Sequence, residues 1–199
     1  MCSWQCHRTA AYSSGTFDHL LPGKHSRADR NATLKHVSLR SPEESDFEFL
    51  ASLRRDSALQ ALLLNVVAST DDGAVAEWLE RRKTDPNGCF MVIADSETDE
   101  PIGFAQITNI HHRNRHGFAG IVIAQNAQGK GLGRIAMESL VAMAKEKHHL
   151  EKILLEVRAD NLVARSLYQS IGFRTVGTLR SHFRTEDNMY DVVLMEKQL

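Results

Sequence analysis

The segment Gln128-Gly129-Lys130-Gly131-Leu132-Gly133-Arg134 joins an apolar run, Phe118–Ala124, to a long amphipathic stretch, Gly131–His148. An apolar strand that turns through a glycine-rich loop into a helix fits few architectures, and it constrains this chain more than any other feature. Alternating glycines let a backbone wrap closely around a ligand and turn its N–H groups inward. The helix that follows aims the positive end of its dipole at the same point. Such a loop suits a diphosphate, and Lys130 and Arg134 could neutralise further phosphate charge. Two nucleotide loops are excluded by single residues. Gly131 follows Lys130 where the triphosphate loop needs Ser or Thr, and Arg134 stands where the dinucleotide fingerprint needs its last glycine. A glycine-shaped turn with no ligand is the remaining alternative.

The flanking pattern extends the reading. Val37 and Leu39 alternate with polar neighbours as a short strand. Ser41-Pro42-Glu43-Glu44 reads as a capping box, with Pro42 at the first helical position, ahead of a stripe of Phe47, Leu50 and Leu53. Helices are expected over Ala58–Val67 and from Asp71 onward, the latter capped by Thr70. Strands are expected at Cys89–Ala94, Ile102–Thr108, Phe118–Ala124 and Lys152–Val157, with a polar connection over Asn109–Arg115. Gly131–His148 would turn Leu132, Ile135, Leu140, Val141 and Met143 to the core, and Asn161–Ile171 makes a further helix. Arg174–Leu179 and Met189–Met195 close the order as a strand pair. The fold class is α/β: a mixed, mostly antiparallel sheet with helices on both faces.

Composition excludes several classes. With 42% hydrophobic and 25% charged residues the chain can bury a core, and a net charge of −1 argues against a nucleic-acid partner. No run approaches the roughly 18 apolar residues of a membrane span. Residues 1–34 lack a sustained period, so a disordered extension or transit segment is expected there, with one domain over 35–199. Cys2, Cys6 and Cys89 suggest no disulfide framework, and a cytoplasmic location is the expectation. Cys2, Cys6 and His7 are not read as metal ligands. The cluster His111, His112, Arg113, Arg115 and His116 is read as a solvated hairpin turn, since no acid or cysteine nearby completes a ligand set.

A second motif lies downstream: Leu155-Glu156-Val157-Arg158-Ala159-Asp160-Asn161, continued by Ala164, Leu167, Tyr168 and Ile171-Gly172-Phe173. Together with Gln128, Gly131 and Gly133 it resembles the coenzyme A site of the GNAT N-acetyltransferases, among them the ribosomal-protein alanine and spermidine branches. The resemblance is firmest over Ala94–Phe173 and extends over Lys35–Leu199. It implies a GNAT fold and acetyl-CoA as co-substrate, with no metal. It also implies a diphosphate held by Gln128, Gly129, Lys130, Gly131, Leu132, Gly133 and Arg134. The pantetheine arm would lie along the backbone of Ile121, Val122 and Ile123, between splayed strands, with Asn161 as a further contact. The Ile123 amide would stabilise the oxyanion.

The resemblance further implies roles for two side chains. Tyr168 would be the general acid that protonates the departing thiolate; packing beside Leu167 and Phe173 is its plainer explanation. Glu156 would take the proton of the amine, with burial on an apolar strand raising its pKa; a structural ion pair with Arg158 is the alternative. Phe118 occupies a position where many polyamine- and ribosomal-protein-modifying relatives carry glutamate, which departs from their acceptor sites. The expected reaction is direct acetyl transfer to a primary amine: a polyamine, an amino sugar or an amino-acid-like compound. A protein N-terminus is the alternative acceptor, and an acyl-CoA-binding regulatory module or a purely structural domain the alternative role. Ala51–Trp78 and Ser181–Tyr190 are the expected acceptor segments. The family often forms dimers, so a homodimer is an expectation.

Overall fold

The computed structural model describes residues 37–199; the expectations for residues 1–34, including those for Cys2, Cys6 and His7, lie outside the described residues. The elements run β1 (Val37–Arg40), α1 (Phe47–Arg55), α2 (Ser57–Leu62), α3 (Asp72–Thr84), β2 (Cys89–Asp95), β3 (Pro101–His111) and β4 (His116–Ile123). They continue α4 (Leu132–Glu146), β5 (Lys152–Arg158), α5 (Leu162–Ser170), β6 (Arg174–Arg184) and β7 (Met189–Gln198). Among the described residues seven strands form one sheet in the order β1-β2-β3-β4-β5-β7-β6. Every neighbouring pair is antiparallel except β4 and β5.

Period-two alternation divides the sheet's side chains between two cores. On one face Ile93, Ala105, Ile107, Ile153 and Leu155 meet Ala136, Met137, Leu140 and Ala144 of α4. On the other, Phe90, Val92, Ala94 and Phe104 meet Leu50, Leu53, Val75 and Trp78 of α1 and α3. Trp78 stands edge-on to Phe90, with ring centroids 5.5 Å apart at 86°. Helices therefore cover both faces, as expected. The inner face of α4 is broader than the stripe read from sequence. Ile135 and Val141 are only half-buried, while Ala136, Met137 and Ala144 are buried, because small alanines let the helix axis approach the sheet.

Several boundaries differ from expectation, each for a local reason. α3 is capped by Asp71 rather than Thr70: the Asp71 carboxylate accepts from the Ala74 amide at 2.9 Å. Before α1, the capping box joins Glu43 to Asp46 rather than Ser41 to Glu44, and the role expected of Glu44 falls to Asp46. Its carboxylate accepts from the Glu43 amide at 2.8 Å and from both terminal nitrogens of Arg40, at 2.7 and 2.9 Å. β3 continues to His111, so the hairpin turn is confined to residues 112–115.

α2 ends at Leu62, short of the expected Val67, in a Schellman motif. The Asn65 amide bonds Gln60 O at 2.9 Å and the Leu64 amide bonds Ala61 O at 3.3 Å. Leu64 occupies the left-handed position usually given to glycine, with φ 57°, at a cost of roughly 1–2 kcal/mol. Gln60 locks this turn from beneath: its side chain is buried, donates to Leu53 O at 2.9 Å, and accepts from Arg54 and Asn65.

Asp46 is 1% exposed, and the Arg40 guanidinium holds its carboxyl below the usual carboxylate range. A lowered folded pKa contributes stability above the unfolded value, lost as pH falls through the folded one. Asp46→Ala should therefore cost about 3 kcal/mol near neutral pH. Urea melts should show that difference shrinking as the pH is taken below about 4, where the unfolded carboxylate takes up its proton, and vanishing only once the folded carboxylate is protonated as well.

Candidate active site

The site is a break in the sheet. β4 and β5 start as parallel partners at His116↔Lys152, Gly117↔Ile153 and Phe118↔Leu154, and pair no further. Beyond Phe118 the two strands diverge, and a cavity of about 760 Å³ fills the wedge. Its walls include Phe118, Ala119, Gly120, Ile121, Val122 and Ile123 from β4, and Glu156 and Val157 from β5. The loop and helix starts supply Gln128, Gly129, Gly131, Leu132, Gly133, Arg134, Asn161 and Tyr168. Residues from both sequence motifs thus share one space.

Backbone alternation decides which β4 amides face that space. The Ala124 amide bonds Ile102 O at 2.8 Å, so in an antiparallel ladder Val122 also turns its N–H and C=O toward β3. Ile121 and Ile123 turn theirs the other way, into the wedge where β5 no longer answers them. The Val122 backbone is therefore committed to the sheet, although the residue itself borders the cavity. Gln128 Nε2 donates to Ile123 O at 2.8 Å, satisfying one of the groups that the divergence frees.

The glycine loop is an open cradle. Gly129 and Gly131 have φ of 72° and 78°, and a Cβ on either would meet nothing within 4 Å. Gly133 lies in the first turn of α4 and shows no such φ; a Cβ there would make ordinary contacts at 3.6 Å with Ile123 and Leu167. α4 has Gly131 at its N-cap, no side-chain cap and no acid in its first turn. The first amides of this 15-residue helix therefore lack a side-chain partner, a fit for an anion. Arg134 lines the cavity and is oriented by Ser170, donating to Oγ at 2.9 Å and O at 3.2 Å, with Glu138 3.0 Å away. Lys130 does not line it; its Nζ folds onto Asn126 O at 2.8 Å.

Asn161 caps α5, its side chain accepting from the Ala164 amide at 3.1 Å, and also borders the cavity. Tyr168 is 7% exposed and packs on Phe173 at 5.9 Å between centroids, yet it forms part of the wall. Burial pushes its hydroxyl pKa up to about 12. Glu156 overturns one expectation. It is exposed, not buried, because Leu155 and Val157 take the core face of β5 and alternation sends Glu156 to the other. Arg158, the partner considered for it, bonds Asp160 at 2.9 Å instead.

The far end of the cavity was only partly foreseen. Leu59, Leu62, Leu63 and Leu64 come from the expected first-helix region, but Gln106, Thr108 and Asn109 of β3 were not singled out. Their signal was the position of β3 beside β4, which a sequence gives only once the pairing is known. None of Ser181–Tyr190 lines the cavity. Among the described residues no group of His, Cys, Asp or Glu is arranged to hold a metal, and no helix is long and apolar enough to cross a membrane. In the basic hairpin, His111 and His116 stack at 5.4 Å and Arg115 pairs with Glu151 at 2.6 Å.

A family model described as acetyltransferase (GNAT) matches residues 51–173, more than half of the chain. The chain belongs to the GNAT acetyltransferase family. Among GNAT relatives, a ribosomal-protein bS18 alanine N-acetyltransferase of Escherichia coli is 36% identical over 75 residues. That match covers 38% of this chain, and the chain spans only half the length of that relative. A spermidine N(1)-acetyltransferase of Vibrio cholerae is 24% identical over 159 residues, covering 80% of this chain and 91% of its own. The crystal structure of a Vibrio cholerae spermidine N-acetyltransferase with CoA and spermine superposes with a TM-score of 0.76 at 24% identity, over 81% of this chain and 95% of the other. At that identity the likeness establishes the GNAT fold.

Proposed function

We propose that this GNAT protein transfers an acetyl group from acetyl-CoA directly to the primary amine of a small molecule, through a domain spanning residues 35–199. One observation carries the reading: the uncapped start of α4, the unpaired β4 edge and the Tyr168 ring line a single cavity. The αL glycines and free α4 amides, with Arg134 beside them, suit a diphosphate. Ile121 and Ile123 offer backbone groups to an amide-bearing arm, which would stand in for the missing strand. Acetyl-CoA would supply the activated acyl group as a thioester.

The chain's own residues would do the rest. The Ile123 amide donates to the thioester oxygen as negative charge develops there. Glu156, exposed to the cavity, accepts a proton from the acceptor's ammonium, directly or through water, and the free amine then attacks the thioester carbon. Tyr168 holds its proton through the neutral range and gives it to the leaving sulfur. No covalent enzyme intermediate is required.

Purified protein with acetyl-CoA and a panel of primary amines should release free thiol only when an amine is present. Thiol release that is independent of every amine, or none at all, would contradict the reading. Glu156→Gln should lower kcat/KM at neutral pH by about a hundredfold. The loss should narrow as the pH approaches the amine's own pKa, near ~10.4, where the acceptor needs less help.

A further inference from the structure

The charge and shape of the acceptor end say which amines it takes, given the acetyl-transfer reading above. Among the described lining residues there is one carboxylate, Glu156, and one cation, Arg134, and Arg134 sits on the loop side tied to Ser170 and Glu138. The opposite end presents Leu59, Leu62, Leu63 and Leu64 with Phe118, relieved only by the neutral Gln106, Thr108 and Asn109. A polyamine brings several ammonium groups, and each beyond the reacting one would be desolvated there without a counter-charge. An amino acid brings a carboxylate, and no cation stands at that end to receive it.

Leu64 adds an independent sign. It holds the left-handed C′ position of the Schellman turn, where glycine would be unstrained, and the buried Gln60 network fixes that turn. A side chain kept at a strained position and directed at a cavity points to use in that cavity.

We propose that the acceptor is a small primary amine with a single positive charge and an apolar body, neither a polyamine nor an amino acid. Its ammonium meets Glu156, and its apolar body lies on the leucines of α2 and its terminal turn.

Four acceptors separate the outcomes: 2-phenylethylamine, spermidine, free leucine and a short peptide with an N-terminal leucine. The expected kcat/KM for 2-phenylethylamine exceeds each of the others by about tenfold or more. If spermidine, leucine or the peptide is used as well or better, the acceptor assignment is overturned while acetyl transfer stands. If no amine is acetylated although coenzyme A binds, the reaction class itself fails and the acceptor assignment falls with it. Leu64→Gly supplies the second readout. Its Tm should hold or rise as the strain is relieved, while KM for 2-phenylethylamine rises about tenfold and KM for acetyl-CoA stays fixed. An unchanged amine KM would overturn the part assigned to the leucine wall.

Discussion

Tyr168→Phe is expected to lower kcat by about a hundred- to ten-thousand-fold while the affinity for coenzyme A stays at its wild-type value. The substitution removes one oxygen and keeps the ring that packs on Phe173. Loss of a buried hydroxyl without replacement of its ring is close to neutral for stability, so Tm should hold. Rate loss with an intact Tm would separate a proton donor from a tyrosine that merely fills space. Calorimetry with coenzyme A supplies the third number, since a leaving-group acid contributes little to ground-state binding.

The pH profile of the wild type tests the same group from another side. Burial raises the Tyr168 hydroxyl to about 12, so the donor keeps its proton well past the ordinary tyrosine value. The rate should therefore show no fall near pH ~10 from loss of the tyrosine proton. For stability, the raised folded pKa means that the stabilising proton is fully bound below the unfolded value and is lost as pH climbs toward 12. An alkaline break in kcat near 10, absent from Tyr168→Phe, would show the hydroxyl to be less buried than the fold implies.

The parts of the site that one segment builds alone were legible in the sequence. The glycine loop, its flanking strand and α4 were readable because loop conformation and helix dipole are local properties of Gly129, Gly131 and the residues after them. Asn161 was readable as a cap for the same reason. Misreadings arose where a side chain had a choice of partners. Thr70 and Asp71 are both competent caps, and backbone geometry chose Asp71. The capping box closes between Glu43 and Asp46 rather than between Ser41 and Glu44, and Arg40 of β1 rewards a carboxylate at 46.

Glu156 shows a signal that was present and overruled. Ile153, Leu155 and Val157 alternate onto the core face, so period two alone places Glu156 on the opposite, exposed face. Reading the strand as uniformly apolar hid that alternation. The acceptor wall was the least legible part. Leu59–Leu64 and Gln106–Asn109 are separated by some forty residues and border one cavity only once β3 has paired with β4 and the chain around α2 has folded against the same space. No periodicity in either segment records that meeting.

Gly131→Asp is expected to raise the dissociation constant for coenzyme A by more than about a hundredfold, since like charges brought together cost several kcal/mol. The prediction turns on a separation of steric from electrostatic effects. A Cβ at Gly131 meets nothing within 4 Å, so no clash drives the result. Its φ of 78° is one that Asp and Asn tolerate better than other residues, so the fold should survive either substitution. Gly131→Asn then has the same size and nearly the same backbone strain without the charge. It should weaken binding far less, by less than about tenfold, and the ratio of the two variants isolates the anion repulsion. The aspartate would also sit over the α4 amides that have no side-chain cap, competing with a diphosphate for the same donors. Tm of the free protein should thus hold in the Asp variant while coenzyme A ceases to raise it. Equal binding by wild type, Asn and Asp variants would mean that no diphosphate rests on this loop, and the assignment of the wedge between β4 and β5 to a pantetheine arm would go with it.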